Sequence, residues 1–141
     1  MTLLTVLDNP AIRAVIDLSL TAADVPDATI ALDAFQGQGE ARVLARFPDA
    51  ASLTGDDAVQ IRTAAICFVA ALVAESLPRV LTEFVGRRSY GATKAAATAD
   101  MLSIAAGLRG RGEAALASIV SEPVPRVRPI SFSIARGGRG R

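Results

Sequence analysis

The chain has 141 residues, enough for one domain with a buried core and too few for two of ordinary size. Its hydrophobic fraction is 51% and its aromatic fraction 4%, so the core must be built from Ala, Val, Leu and Ile, and disorder of the whole chain is excluded. Fifteen basic residues against 14 acidic hide a segregated charge: residues 123–141 hold five arginines and no acid, which leaves the first 122 residues at −4.

The first predicted element lies in "DNPAIRAVIDLSL". Asp8 is placed to cap it, Pro10 stands near the first helical position, and Ile12, Val15 and Ile16 recur at helical spacing. A helix of about two turns is expected, then a break at "TAADVPDATI", where Pro26 disfavours helix at Val25 and Asp27 can cap the next element. In "ATIALDAFQGQGEARVLARF" the apolar positions are Ile30, Leu32, Phe35, Val43, Leu44 and Phe47. Gly37 and Gly39 weaken its middle by about 1 kcal/mol each relative to Ala, so the helix is expected to resume at Gly39 and to end before Pro48.

Asp56 is expected to cap the strongest element, "DAVQIRTAAICFVAALVAESL". From Ala64 to Ala74 every side of this helix is apolar, which marks it as central and buried. Pro78 should kink or end it, with "RVLTEFVG" adding a turn or two. "GRRSYGAT" reads as a loop carrying Arg87, Arg88 and Tyr90. In the last element, "TKAAATADMLSIAAGLRGRGEAALASIV", Met101, Ala105, Leu108, Ala115 and Ile119 fall near one face. Gly107, Gly110 and Gly112 soften its centre; one helix is expected, two being the alternative. The fold class is all-α: a small bundle of four to five helices over residues 1–122, continued by an extended C-terminal arm, 123–141.

Residues able to carry chemistry are scarce. The chain has no histidine, no cysteine pair and no phosphate loop, and Asp56-Asp57 is better explained by a helix start than by a metal. Cys67, the one cysteine, reads as a small buried hydrophobe. No catalytic, cofactor or metal site is expected, and the protein is read as no enzyme. The longest charge-free apolar run, Thr63 to Ala74, is 12 residues, short of the roughly 20 that a membrane span needs, so a soluble protein made in a cytoplasm is expected.

The arm "PVPRVRPISFSIARGGRGR" is the distinctive stretch. Ile130, Phe132 and Ile134 fall on one side of a short strand, with Ser131 and Ser133 on the other. No second convincing strand is available to pair with it, and an unpaired strand leaves its backbone groups without partners. Addition to a sheet edge of another protein answers that need. Its prolines at 123, 125 and 129 keep the approach extended, and "ARGGRGR" resembles the RGG segments that bind RNA through charge and stacking.

The stretches "VPDATIALDAF", "EARVLARFPDAASLTGDDAVQIRTAAICFVAALVAESLP" and "FVGRRSYGATKAAATAD" together resemble the head–tail adaptor (head-completion) proteins of long-tailed bacteriophages and gene transfer agents, over roughly residues 20 to 120. The resemblance implies a structural virion protein at the head–tail interface. Twelve copies would form a ring beneath the capsid portal, the far side would receive a stopper or tail-side connector, and DNA would pass through the lumen. It implies that the C-terminal segment reaches the portal, which nominates Arg126, Arg128, Ile130, Phe132, Ile134 and Arg136 as the docking residues. The loop residues Arg87, Arg88 and Tyr90 are candidates for contact with a neighbouring subunit or the tail-side partner. The rival expectation is a helical nucleic-acid-binding module whose basic tail grips phosphates.

Overall fold

A computed structural model describes residues 2–80 and 94–119, with side chains described for 2–77 and 98–119. These residues are mostly helical and contain no strand. Five α-helices occur in order: α1 (Asn9–Ile16), α2 (Asp27–Ile30), α3 (Gln38–Arg46), α4 (Gly55–Val80) and α5 (Lys94–Ser118). The arm 123–141, the strand expected in it and the loop carrying Arg87, Arg88 and Tyr90 lie outside the described residues.

α4 is the axis of the molecule. Ala64, Ala65, Val69, Ala70, Ala71 and Ala74 have no exposed surface, and Cys67, Phe68 and Val73 have almost none. Small side chains all round one helix allow neighbours to approach from several directions, and α1, α3 and α5 all pack on it. By length and composition, the segment Gly55–Leu77 could also cross a membrane, although more than half of its apolar window is buried within this fold. α5 makes the most extensive contact with α4 and runs antiparallel to it, since Gly112 meets Phe68 while Arg109 bonds Glu75, about two turns further along α4. Met101, Ala105, Leu108, Ala115 and Ile119 are all buried on this seam, joined by Leu116. α5 is continuous through Gly107, Gly110 and Gly112, so one helix forms there and not two. The backbone of α4 runs past Pro78 to Val80.

Two local expectations are corrected. First, α4 begins at Gly55, not behind a capping Asp56. Gly55 has φ +65°, a left-handed conformation that turns the chain from the short helical turn Ala50–Ser52 into the helix, and Asp56 and Asp57 occupy the first turn. Second, the stretch 27–47 is not one weakened helix: α3 starts and ends close to the expected Gly39 and Pro48, but the part before it is broken outright. α2 ends after one turn, Leu32 adopts an extended conformation, and a π-helical turn, Asp33–Gly37, leads into α3. The break leaves Leu32 about half exposed, whereas helical spacing assigns it to the core.

Gly39 fixes how α3 crosses α4. A Cβ at this position would lie 2.5 Å from Cγ2 of Val69 and 2.9 Å from its backbone nitrogen, so the two helices touch here almost backbone to backbone. The glycine that weakens the helix in isolation is what allows it to dock.

Candidate functional site

Buried polar groups are where chemistry would reside. Four polar or charged residues are buried among the described residues: Asp8, Asn9, Arg13 and Glu40. All sit in or against the N-terminal third, and every buried side-chain nitrogen and oxygen described has a hydrogen-bond partner. Each group ties chain segments together.

Glu40, on α3, accepts the backbone N–H of Leu4 at 2.9 Å through Oε1. The same oxygen accepts Nε2 of Gln36, which also donates to the Leu4 carbonyl at 3.1 Å. Leu4 is thereby held at both backbone groups, with its side chain in the core. Arg13 donates from Nε to the Val25 carbonyl at 2.7 Å and from Nη2 to the Asp27 carboxylate, anchoring α1 to the turn that starts α2. Asp27 is suited by type to cap α2, yet its carboxylate receives Arg13 and Asn9, and Pro26 occupies the capping position. Those donors hold the Asp27 carboxyl below the usual aspartate range, first through the Arg13 hydrogen bond.

Asp8 likewise does not use its carboxylate to cap α1. Oδ2 accepts the Thr5 N–H at 2.8 Å and its hydroxyl at 3.2 Å, while Oδ1 accepts Arg62 of α4 at 2.5 Å. Burial pushes this carboxyl up; the Thr5 N–H and the Arg62 guanidinium outweigh it and hold it below its ordinary value. A depressed pKa in the folded state contributes stability above the unfolded aspartate pKa of about 3.9, and that stability is lost as pH falls through the folded value. Acid titration of the folded protein, monitored by circular dichroism, should therefore show a loss of stability below about pH 4. Asp8→Asn should flatten this limb and lower stability at neutral pH; an unchanged limb would mean that Asp8 does not carry it.

Cys67 is buried, and burial raises its thiol pKa, an effect that Arg111 only partly offsets. It is packing, as its sequence context indicates. No group of three His, Cys, Asp or Glu side chains among the described residues is placed to hold a metal ion.

One concave feature stands apart from this stitching. A cleft of about 170 Å³ opens between α3, α4 and α5, lined by Gln38, Gly39, Arg42, Phe68, Leu72 and Arg109. Arg42 lies with its guanidinium carbon 4.7 Å from the Phe68 ring centre, a cation–π contact against a buried aromatic floor. Its Nε and Nη2 donate to Oε1 of Glu113 at 3.2 and 2.9 Å. Arg46, one turn along, reaches Oε2 of the same Glu113 at 3.5 Å, and Arg109 on the facing wall donates to Glu75 at 2.5 Å.

Sequence patterning does not find this grouping. Arg42 and Arg46 read as the solvated side of α3, and Arg109 as part of a glycine-softened stretch. The usable signal is the basic pair at i, i+4 on a helix that also carries Gly39, but which carboxylates face it depends on how α3 and α5 pack. The nominated portal-binding residues Arg126, Arg128, Ile130, Phe132, Ile134 and Arg136, and the loop residues Arg87, Arg88 and Tyr90, lie outside the described residues. No protein-family model, curated protein or solved structure matches the chain.

Proposed function

We propose that the protein is a structural ring adaptor of a phage-type particle, joining the capsid portal to a stopper or tail-side connector. In this reading residues 1–122 form the body of each subunit and residues 123–141 dock on the portal, with DNA passing through the ring. The single observation that supports it is a mismatch between body and arm. The described residues are helical and contain no strand, whereas the arm carries a two-faced alternation, Ile130 to Ile134, which needs a strand to pair with. A helical body and an arm seeking a sheet edge suit a subunit that is completed by its partner.

The apolar trio would supply burial worth about 25 cal/mol per Å² removed from water. Arg126, Arg128 and Arg136 would flank it and meet acidic groups of the portal. The body would meet its neighbours in the ring and present the Arg87, Arg88 and Tyr90 loop to a neighbour or to the tail side. Removal of residues 123–141 should leave a folded helical body but abolish its retention on portal-bearing capsids, read by co-sedimentation. Full retention of the truncated protein would sink the docking role.

The second reading, a helical module gripping nucleic acid with its tail, rests on the five arginines of the arm. Salt separates the two. Phosphate-dependent binding falls steeply with added salt because counterions are released, whereas pairing of backbone groups and burial of the apolar trio do not.

A further inference from the structure

The cleft between α3, α4 and α5 has an electrostatic imbalance. Arg42 and Arg109 line it and Arg46 stands one turn along α3 on the far oxygen of Glu113, yet among the described residues two carboxylates, Glu75 and Glu113, answer these three guanidinium groups. Glu113 is divided between Arg42 and Arg46, one oxygen to each, so among the described residues three guanidinium groups share two carboxylates.

The geometry limits where a further negative charge would sit. Glu113 draws Arg42 through Nε and Nη2, and Glu75 draws Arg109 through Nη2, so each guanidinium is oriented by its carboxylate and keeps N–H donors with no other partner among the described residues. Both arginines line the same cleft, above Phe68 and Leu72. The apolar floor keeps water from one side of the space and strengthens charge interactions within it. Gln38 adds an amide at the lining, and the volume of about 170 Å³ admits a small head group.

We propose that this cleft is a seat for one oxyanion group, a carboxylate or a phosphate, held between Arg42 and Arg109 with Arg46 supplying the surplus positive charge. Guanidinium forks suit a two-oxygen head group of this kind. The carboxylate of Glu113 is then a built-in competitor: it fixes Arg42 in place and keeps the empty seat from being a bare cationic patch. The inference rests on the described helices alone, and stands or falls apart from the role of the arm.

The test uses the full-length protein with sodium acetate and inorganic phosphate as probes, at constant ionic strength against chloride. The Nε–H resonances of Arg42 and Arg109 are read by NMR. Both should shift saturably with the probe and not with chloride. In Arg42→Gln the response of Arg109 should be lost. Two variants on exposed side chains outside the cleft lining move affinity in opposite directions: Glu113→Gln should tighten binding and Arg46→Gln should weaken it, each by about two- to fivefold. A marked preference for phosphate would identify a phosphate ester as the group seated, and parity with acetate a carboxylate. Absence of a saturable shift, or unchanged affinity in Glu113→Gln, would overturn the proposal.

Discussion

Gly39→Ala is expected to destabilise the protein, although Ala is the better helix former. The intrinsic gain from the substitution is about 1 kcal/mol. Against it, the new methyl would lie 2.5 Å from Cγ2, 2.9 Å from the nitrogen and 3.1 Å from the Cα of Val69. Cγ2 could rotate away, but the other two atoms are backbone atoms of Val69, which has no exposed surface. Relief requires α3 to move off α4, and overpacking of this kind costs about 1–3 kcal/mol or more. With backbone atoms in the way the cost falls at the upper end of that range, so the net loss is about 2 kcal/mol and the expected fall in Tm roughly 5–8 °C for a chain of this size. The control is built into the same molecule. Gly107 and Gly110 sit within α5, where an added methyl would find nothing within 4 Å, so Gly107→Ala and Gly110→Ala should stabilise by up to about 1 kcal/mol each. Gly112 belongs with Gly39, because its Cβ would stand 2.7 Å from the Phe68 ring. Equal behaviour of Gly39→Ala and Gly107→Ala in thermal melts would show that α3 and α4 do not cross so closely. The consequence reaches the cleft: displacement of α3 would also lift Arg42 from Phe68, so Gly39→Ala should weaken oxyanion binding more than its stability loss alone would.

The same glycines show what can be read from the chain and what cannot. Helical spacing places α1, α3, α4 and α5 and most of their buried faces, because those faces are apolar stripes that a one-dimensional pattern records. The all-round apolar run of α4 identifies the central helix for the same reason. Patterning fails from Asp27 to Gly37, where Leu32 keeps helical spacing but the backbone breaks around it. Spacing carries no information about the register of a π-helical turn. It also counts every glycine as a weakness, when Gly39 and Gly112 are points of contact and Gly107 and Gly110 are not. That distinction exists only once helices are packed.

Polar residues are legible to a still smaller degree. Asp8 and Asp27 are residues suited to helix starts, and both stand at helix starts, but the Asp8 carboxylate caps the short turn Val6–Asp8 and not α1, and the Asp27 carboxylate does not cap α2. Capping preference describes a side chain with nothing better to bind, and here Arg62 and Arg13 offer charged partners. Arg42 and Glu113 are separated by 71 residues, so their meeting is a property of the bundle. The arm is the reverse case: its alternation is plain in the sequence.

Arg13 carries the second large expected effect, and the choice of substitution decides its size. The side chain is 7% exposed, lies across the joint between α1 and α2, and serves two acceptors that differ in their access to water. The Val25 carbonyl belongs to a residue that is 2% exposed, whereas the Asp27 side chain is 49% exposed. Arg13→Ala removes both bonds and opens a cavity, so a loss of about 2–4 kcal/mol is expected. Arg13→Met fills the space and costs less, about 1–2 kcal/mol, because Asp27 can turn to water and only the Val25 carbonyl is stranded. Arg13→Lys keeps the charge but cannot reproduce the Nε and Nη2 pair, and should fall between the two. Asp27→Ala leaves the guanidinium bonded to Val25 and partly wet through the space vacated, which predicts a smaller loss than Arg13→Ala. Denaturant unfolding of the four variants tests this order. If Asp27→Ala proved as costly as Arg13→Ala, the ion pair and not the Val25 bond would hold the joint. Because Asp27 has a depressed pKa, the cost of Asp27→Ala should also shrink as pH falls below about 4. The cost of Arg13→Met should shrink less over the same range, since the bond to the Val25 carbonyl does not titrate.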